Sequence, residues 1–138
     1  MDEVSRLFMQ YDYAETRSLC KDFLTLVSAI LVFSIAFSEK IVDFANAPLH
    51  TRRWLLSSWQ CFIAAIVACG IGLCFITVAG GAAVYGADAI GPWSGGMYYW
   101  AEWSWLSIFL AGGLFVAGLI ALIVAAANSM RQRALSAK

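Results

Sequence analysis

Side chains able to do chemistry are few in this chain, and the charged ones gather in one place. Glu39, Lys40 and Asp43 fall within five positions in "VFSIAFSEKIVDF", a stretch that begins fully apolar. On a helix Glu39 and Asp43 share a face at i,i+4, and Lys40 lies three residues before Asp43, close enough to pair with it. Such a group can ring the mouth of a pore, or it can mark where a chain leaves lipid. A charge at the bilayer centre costs about 2.5–3.5 kcal/mol, whereas near a helix end it reaches headgroups and water. The expectation is an interface anchor, with pore-mouth charges as the rival.

The other reactive types form no constellation. His50 is the only histidine, and Cys20, Cys61, Cys69 and Cys74 show neither C-x-x-C nor zinc spacing. Cysteine inside an apolar segment behaves as a small hydrophobe. The sequence holds no nucleophile elbow, phosphate loop, H-E-x-x-H or dinucleotide fingerprint. No catalytic, cofactor-binding or metal residues are therefore expected, and the chain reads as non-enzymatic. With nine acids, nine bases and no basic patch it has no footprint for nucleic acid.

The remaining polar material is aromatic. Residues 78–104 hold six of the eleven glycines, Pro92, and Tyr85, Trp93, Tyr98, Tyr99, Trp100 and Trp103. Glycine and proline at that density predict a loop. Tyr and Trp settle at the headgroup level, where an apolar ring and a polar tip are both satisfied. An aromatic belt is the plain expectation. A recognition surface for a lipid, a ring cofactor or a partner subunit is the sharper one.

The elements that position these groups follow from the apolar runs. Of 138 residues 62% are hydrophobic and 13% charged, and no charge falls between Trp54 and Ala87 or between Trp103 and Met130. Uncharged apolar runs beyond about 18 residues read as membrane-spanning helices. The second and third spans are placed at 54–77 and 105–128, each 24 residues. At 1.5 Å per residue that is about 36 Å, enough for a hydrocarbon core of roughly 30 Å. The first has an uncharged core of only 15 residues, 23–37, so a full crossing must run on to Phe44. A cleaved signal is disfavoured, because the preceding residues carry five acids and three bases. Residues 1–22 form an amphipathic segment, with Val4, Leu7, Phe8 and Tyr11 at i, i+3, i+4 and i+7, suited to the interface plane. A tail at 129–138 carries Arg131, Arg133 and Lys138.

The chain thus reads as one membrane domain of class all-α, with three transmembrane helices, the first short, and an N-terminal interfacial helix. Lys and Arg placement puts loop 45–53 and the C-terminus in the cytoplasm and loop 78–104 outside a cell membrane crossed several times. Small residues recur every four positions at Ala64, Ala68 and Gly72, and again at Gly113, Ala117, Ala121 and Ala125. Lipid gives helices no hydrophobic drive to associate, so close backbone approach along such rows supplies the attraction. Beyond the bilayer itself, the expected partner is a second copy or a larger membrane complex. The function that follows is a non-enzymatic subunit or scaffold. The alternatives are a homo-oligomeric pore or membrane-perturbing effector, and a lipid- or cofactor-binding protein using the aromatic loop.

Overall fold

The computed structural model describes residues 3–36, 38, 40, 48–85 and 96–136. Within them the chain is helical: α1 (Glu3–Leu7), a π-helical segment (Phe8–Tyr13), α2 (Ala14–Ala36), α3 (Leu49–Tyr85) and α4 (Met97–Ser136). Three stretches are long and apolar enough to cross a membrane: Phe8–Ala36, Leu49–Tyr85 and Met97–Gln132. The helices divide into two compact units. One comprises Met1–Thr25 and Val67–Ala111, the other Leu26–Ile66 and Gly112–Lys138.

Both long helices overrun the bounds read from sequence. α3 has 37 residues and α4 has 40, about 56 and 60 Å at 1.5 Å rise per residue. At its start α3 opens directly after Pro48, whose carbonyl accepts from the Arg52 amide at 3.1 Å. A proline carbonyl accepts as well as any other, and the missing N–H is one that a helix start leaves free anyway. At its end α3 runs through "VAGGAAVY" rather than turning into a loop. The small residues there form a packing surface: Ala79, Ala82 and Ala83 are buried, and a Cβ on Gly80 would stand 2.9 Å from the Tyr13 ring. Glycine in this place removes bulk so that an aromatic ring can sit on the backbone.

Likewise α4 takes up the second half of the expected loop. Gly96 is not helical, its carbonyl accepts from the Tyr99 amide at 3.0 Å, and Tyr98, Tyr99, Trp100 and Trp103 all lie in the first turns of α4. Expected loop 78–104 is therefore helical at both ends, and its centre, including Trp93, lies outside the described residues.

The N-terminal segment departs most from expectation. A single apolar face would expose or bury Leu7, Phe8 and Tyr11 together, yet Leu7 and Tyr11 are exposed and Phe8 is 5% exposed. The π-helical segment is the cause. Its i→i+5 pattern shifts the register within one turn. Phe8, Met9 and Tyr13 are thereby brought onto one cluster with Ile76, Ala79, Ala83 and Ala101. The segment packs inside its own unit rather than lying free at an interface.

The first span also shifts. It draws on residues before Phe23, so Arg17, Lys21 and Asp22 belong to α2, all exposed, while Thr16, Cys20, Val27 and Ser34 are buried. Charged side chains on the outer face can reach for headgroups along their stems. Of the expected continuation toward Phe44, Ser38 and Lys40 are helical; Glu39 and 41–44 lie outside the described residues.

Burial follows one rhythm along the long helices. On α3 one buried row runs through Thr51, Leu55, Ser58, Phe62, Ala65, Cys69, Gly72, Ile76, Ala79 and Ala83, with Ala68, Gly80 and Ala82 buried beside it. The steps along this row alternate four and three, a heptad period. On α4 the buried Ala101, Ser104, Ala111, Gly118, Ala125 and Ser129 keep the same rhythm, with Ala121 buried beside them.

Candidate functional site

The inward face mixes small and hydroxylic residues with Val27, Leu55, Phe62 and Ile76, and the outward face carries many large apolar side chains. Among the described residues the buried polar side chains are Thr16, Ser34, Thr51, Ser58, Ser104 and Ser129, none of them charged. Outward stand Val32, Phe33, Ile63, Val67, Ile71, Phe109, Leu110, Val116, Ile120 and Ile123. A protein in water places its large aliphatic side chains the other way. Here six hydroxyl side chains are buried while many large hydrocarbon side chains stand outward.

Two of these hydroxyls bridge helices at close approach. In one unit Ser104 Oγ donates to the Gly72 carbonyl at 2.9 Å. In the other Ser58 Oγ donates to the Gly118 carbonyl at 2.8 Å. The two units thus use the same device with the helices exchanged, and within each helix the serine and glycine stand two heptads apart. Glycine is needed because the donor approaches backbone. A Cβ on Gly72 would meet the Ser104 carbonyl oxygen at 3.3 Å and Ile108 at 3.2 Å, and one on Gly118 would meet Phe62 at 2.7 Å. In the second unit Trp59 Nε1 also donates to Ser34 Oγ at 3.1 Å, and Ser34 in turn donates to the Leu31 carbonyl. In the first, Cys69 Sγ lies 3.7 Å from the Cys20 carbonyl oxygen. All four cysteines are free.

The residues predicted to pack divide into two sets. Ala68, Gly72, Ala121 and Ala125 are buried inside the chain's own fold. Ala64, Gly113 and Ala117 are exposed, and a Cβ at Gly113 would meet nothing within 4 Å. Sequence reasoning missed Gly118, Ser58 and Ser104. The signal that finds them is a small residue every seventh position: Thr51, Ser58, Ala65, Gly72 and Ala79, and Ser104, Ala111, Gly118 and Ala125. Of the charged trio, Glu39 and Asp43 lie outside the described residues and Lys40 is exposed.

The aromatic residues of α4 form a packed group in the first unit. Phe75 stacks on Trp100 at 5.9 Å and lies 6.4 Å from Trp103, while Tyr99 meets both tryptophans edge-on. The buried Trp100 Nε1 has no hydrogen-bond partner among the described residues.

Two shallow recesses flank this framework. In the first unit a recess of about 290 Å³ is lined by Asp12, Glu15, Thr16, Leu19 and Trp105. In the second, one of about 270 Å³ is lined by His50, Arg53, Trp54 and Ser57, with Trp54 Nε1 donating to His50 Nε2 at 3.0 Å. No group of three or more His, Cys, Asp or Glu that could hold a metal occurs among the described residues. No family model, curated protein or solved structure matches the chain.

Proposed function

We propose that this chain is a non-enzymatic integral-membrane subunit that assembles with a second copy or a larger complex through small positions its own fold leaves uncovered. The observation that carries the reading is the split of the small-residue rows. Gly72 and Gly118 are filled by neighbouring helices, whereas Gly113 faces open space beside the exposed Ala117. In lipid, an uncovered glycine lets a partner helix approach its backbone closely, and close approach is what drives association there. The hydrocarbon of the outer faces supports residence in a bilayer. Lys and Arg placement favours a cell membrane with 45–53 and the C-terminus in the cytoplasm and the base-free stretch 78–104 outside.

The pore alternative gains nothing from Ser34, Ser58 and Ser104, whose buried hydroxyls are already bonded to helix carbonyls. The test is assembly in mild detergent followed by chemical cross-linking. Gly113→Leu and Ala117→Leu abolish the cross-linked species while leaving the helical content of the chain unchanged, and Leu119→Ala does much less. Equal effects of all three contradict the reading, as does a chain that is monomeric and alone before any substitution.

A further inference from the structure

α3 and α4 share more than a serine and a glycine. Residues 54–79, "WLLSSWQCFIAAIVACGIGLCFITVA", and residues 100–125, "WAEWSWLSIFLAGGLFVAGLIALIVA", carry one pattern in register, W-x3-S-W-x5-A-x6-G-L-x4-V-A. Within each unit the two helices run antiparallel. In one, Gly72 meets Ser104 while Phe75, further along α3, meets Trp100, further back on α4. In the other, Ser58 meets Gly118 while Leu55 packs on Ala125. We infer that α3 and α4 are inverted copies of one helix-pairing unit, whose face fits an antiparallel membrane helix carrying the same pattern. Membrane folds are commonly built from inverted repeats.

The surroundings of the two glycines match position for position. A Cβ on Gly118 would meet Phe62 at 2.7 Å and Cys61 Cβ at 3.3 Å, and one on Gly72 would meet Ile108 at 3.2 Å and Ser107 Cβ at 3.4 Å. Cys61 and Phe62 follow the bonded Ser58 by three and four residues, as Ser107 and Ile108 follow Ser104. The serine position of each copy thus meets the glycine position of the other, the reciprocity of a self-complementary interface. Helix packing alone does not account for the whole pattern, because Trp54 and Trp105 are 36% and 42% exposed and still have their counterparts. The second tryptophan of each copy turns to α2: Trp59 Nε1 donates to Ser34 Oγ, and Trp105 borders Thr16 and Leu19. The first tryptophan shows where the copies differ. Trp54 Nε1 donates to His50, four residues earlier. Four residues before Trp100 stands Gly96, which has no side chain to accept, and the buried Trp100 Nε1 is left without a partner among the described residues.

The inference goes beyond assembly at Gly113, and its test reads pairing inside one chain. Ser107→Cys with Ile108→Phe writes the residues of α3 into α4 at the equivalent positions. In the full chain this double variant keeps the parent's circular dichroism, because an equivalent crossing has a place for the ring. In the parent, Gly72→Ala lowers the dodecyl sulfate midpoint less than Gly118→Ala does, since its methyl meets a flexible isoleucine rather than a ring. In the double variant, Gly72→Ala lowers the midpoint as far as Gly118→Ala does in the parent. An unchanged effect of Gly72→Ala overturns the inference, as does loss of the parent's helical signal in the double variant. A second arm replaces residues 100–125 by a copy of residues 54–79, leaving the contacts of α3 with α2 in place. That chain unfolds in one transition. A chain carrying the same inserted segment in reverse order, equal in composition and hydropathy, does not. Equal behaviour of the two chains overturns the inference.

Discussion

Replacing Gly118 by alanine adds one methyl group where the helices leave no room for it. The new Cβ would stand 2.7 and 2.8 Å from two ring carbons of Phe62 and 3.3 Å from Cys61 Cβ. Phe62 cannot swing aside freely, because it is 0% exposed and its ring lies against Phe115 at 5.9 Å. The helices must part or the ring must leave its rotamer, an overpacking loss of about 1–3 kcal/mol. Parting them also strains the Ser58 bond to the Gly118 carbonyl, and interhelical bonds of this kind average about 0.6 kcal/mol. Against this, alanine gains about 1 kcal/mol of helix propensity over glycine. The balance is a net loss of about 1–2 kcal/mol.

Gly113→Ala is the matched control. It has the same chemistry five residues away, with nothing within 4 Å of the new methyl inside the single chain, so in the dissociated monomer only the propensity gain of up to about 1 kcal/mol remains. Unfolding of the purified chain in mixed micelles by titration with dodecyl sulfate, followed by circular dichroism, places the two variants on opposite sides of the parent. Phe62→Leu in the Gly118→Ala background recovers part of the loss, although Phe62→Leu alone is destabilising. If the two glycine variants shift equally, or Gly118→Ala is the more stable, the close helix approach at Ser58 and Gly118 does not exist.

Ser58→Ala and Ser104→Ala each lower stability by about 0.6 kcal/mol, and by no more than about 1.7, in the same titration. The two losses add in the double variant, since each serine bonds a different carbonyl. Gly80→Leu drives a side chain into Tyr13, whose ring already stands 2.9 Å from the position of a Cβ. It releases the π-helical segment, seen as faster amide exchange over residues 8–13 with the exchange of α4 residues beyond Gly112 unchanged.

The three long apolar helices were legible because their uncharged runs are plain in the composition. Which face of each helix turns inward was not. Hydrophobic periodicity works when one face is polar, and on α3 Leu55 and Phe62 point in while Leu56 and Ile63 point out. The two faces differ in size and hydroxyl content instead. Reading small residues every fourth position therefore mixed inward Ala68 and Gly72 with outward Ala64. The π-helical register shift at Phe8–Tyr13 left no trace in the i, i+3, i+4 pattern, because it is held by packing on Ala79 and Ala83 far along the chain. Glycines 80 and 81 read as loop because local propensity cannot show that an aromatic ring rests on one of them.

The account depends most on what surrounds the outward faces. Single cysteines at Ile71, Ile120 and Leu135, all exposed on the fold, placed in a chain whose four native cysteines are changed to alanine, separate the possibilities. In intact membranes a membrane-impermeant maleimide, applied from each side in turn, labels Leu135→Cys from one side and leaves Ile71→Cys and Ile120→Cys unmodified until the membrane is dissolved and the chain denatured. Prompt labelling of Ile71→Cys or Ile120→Cys in intact membranes would show water where hydrocarbon is required.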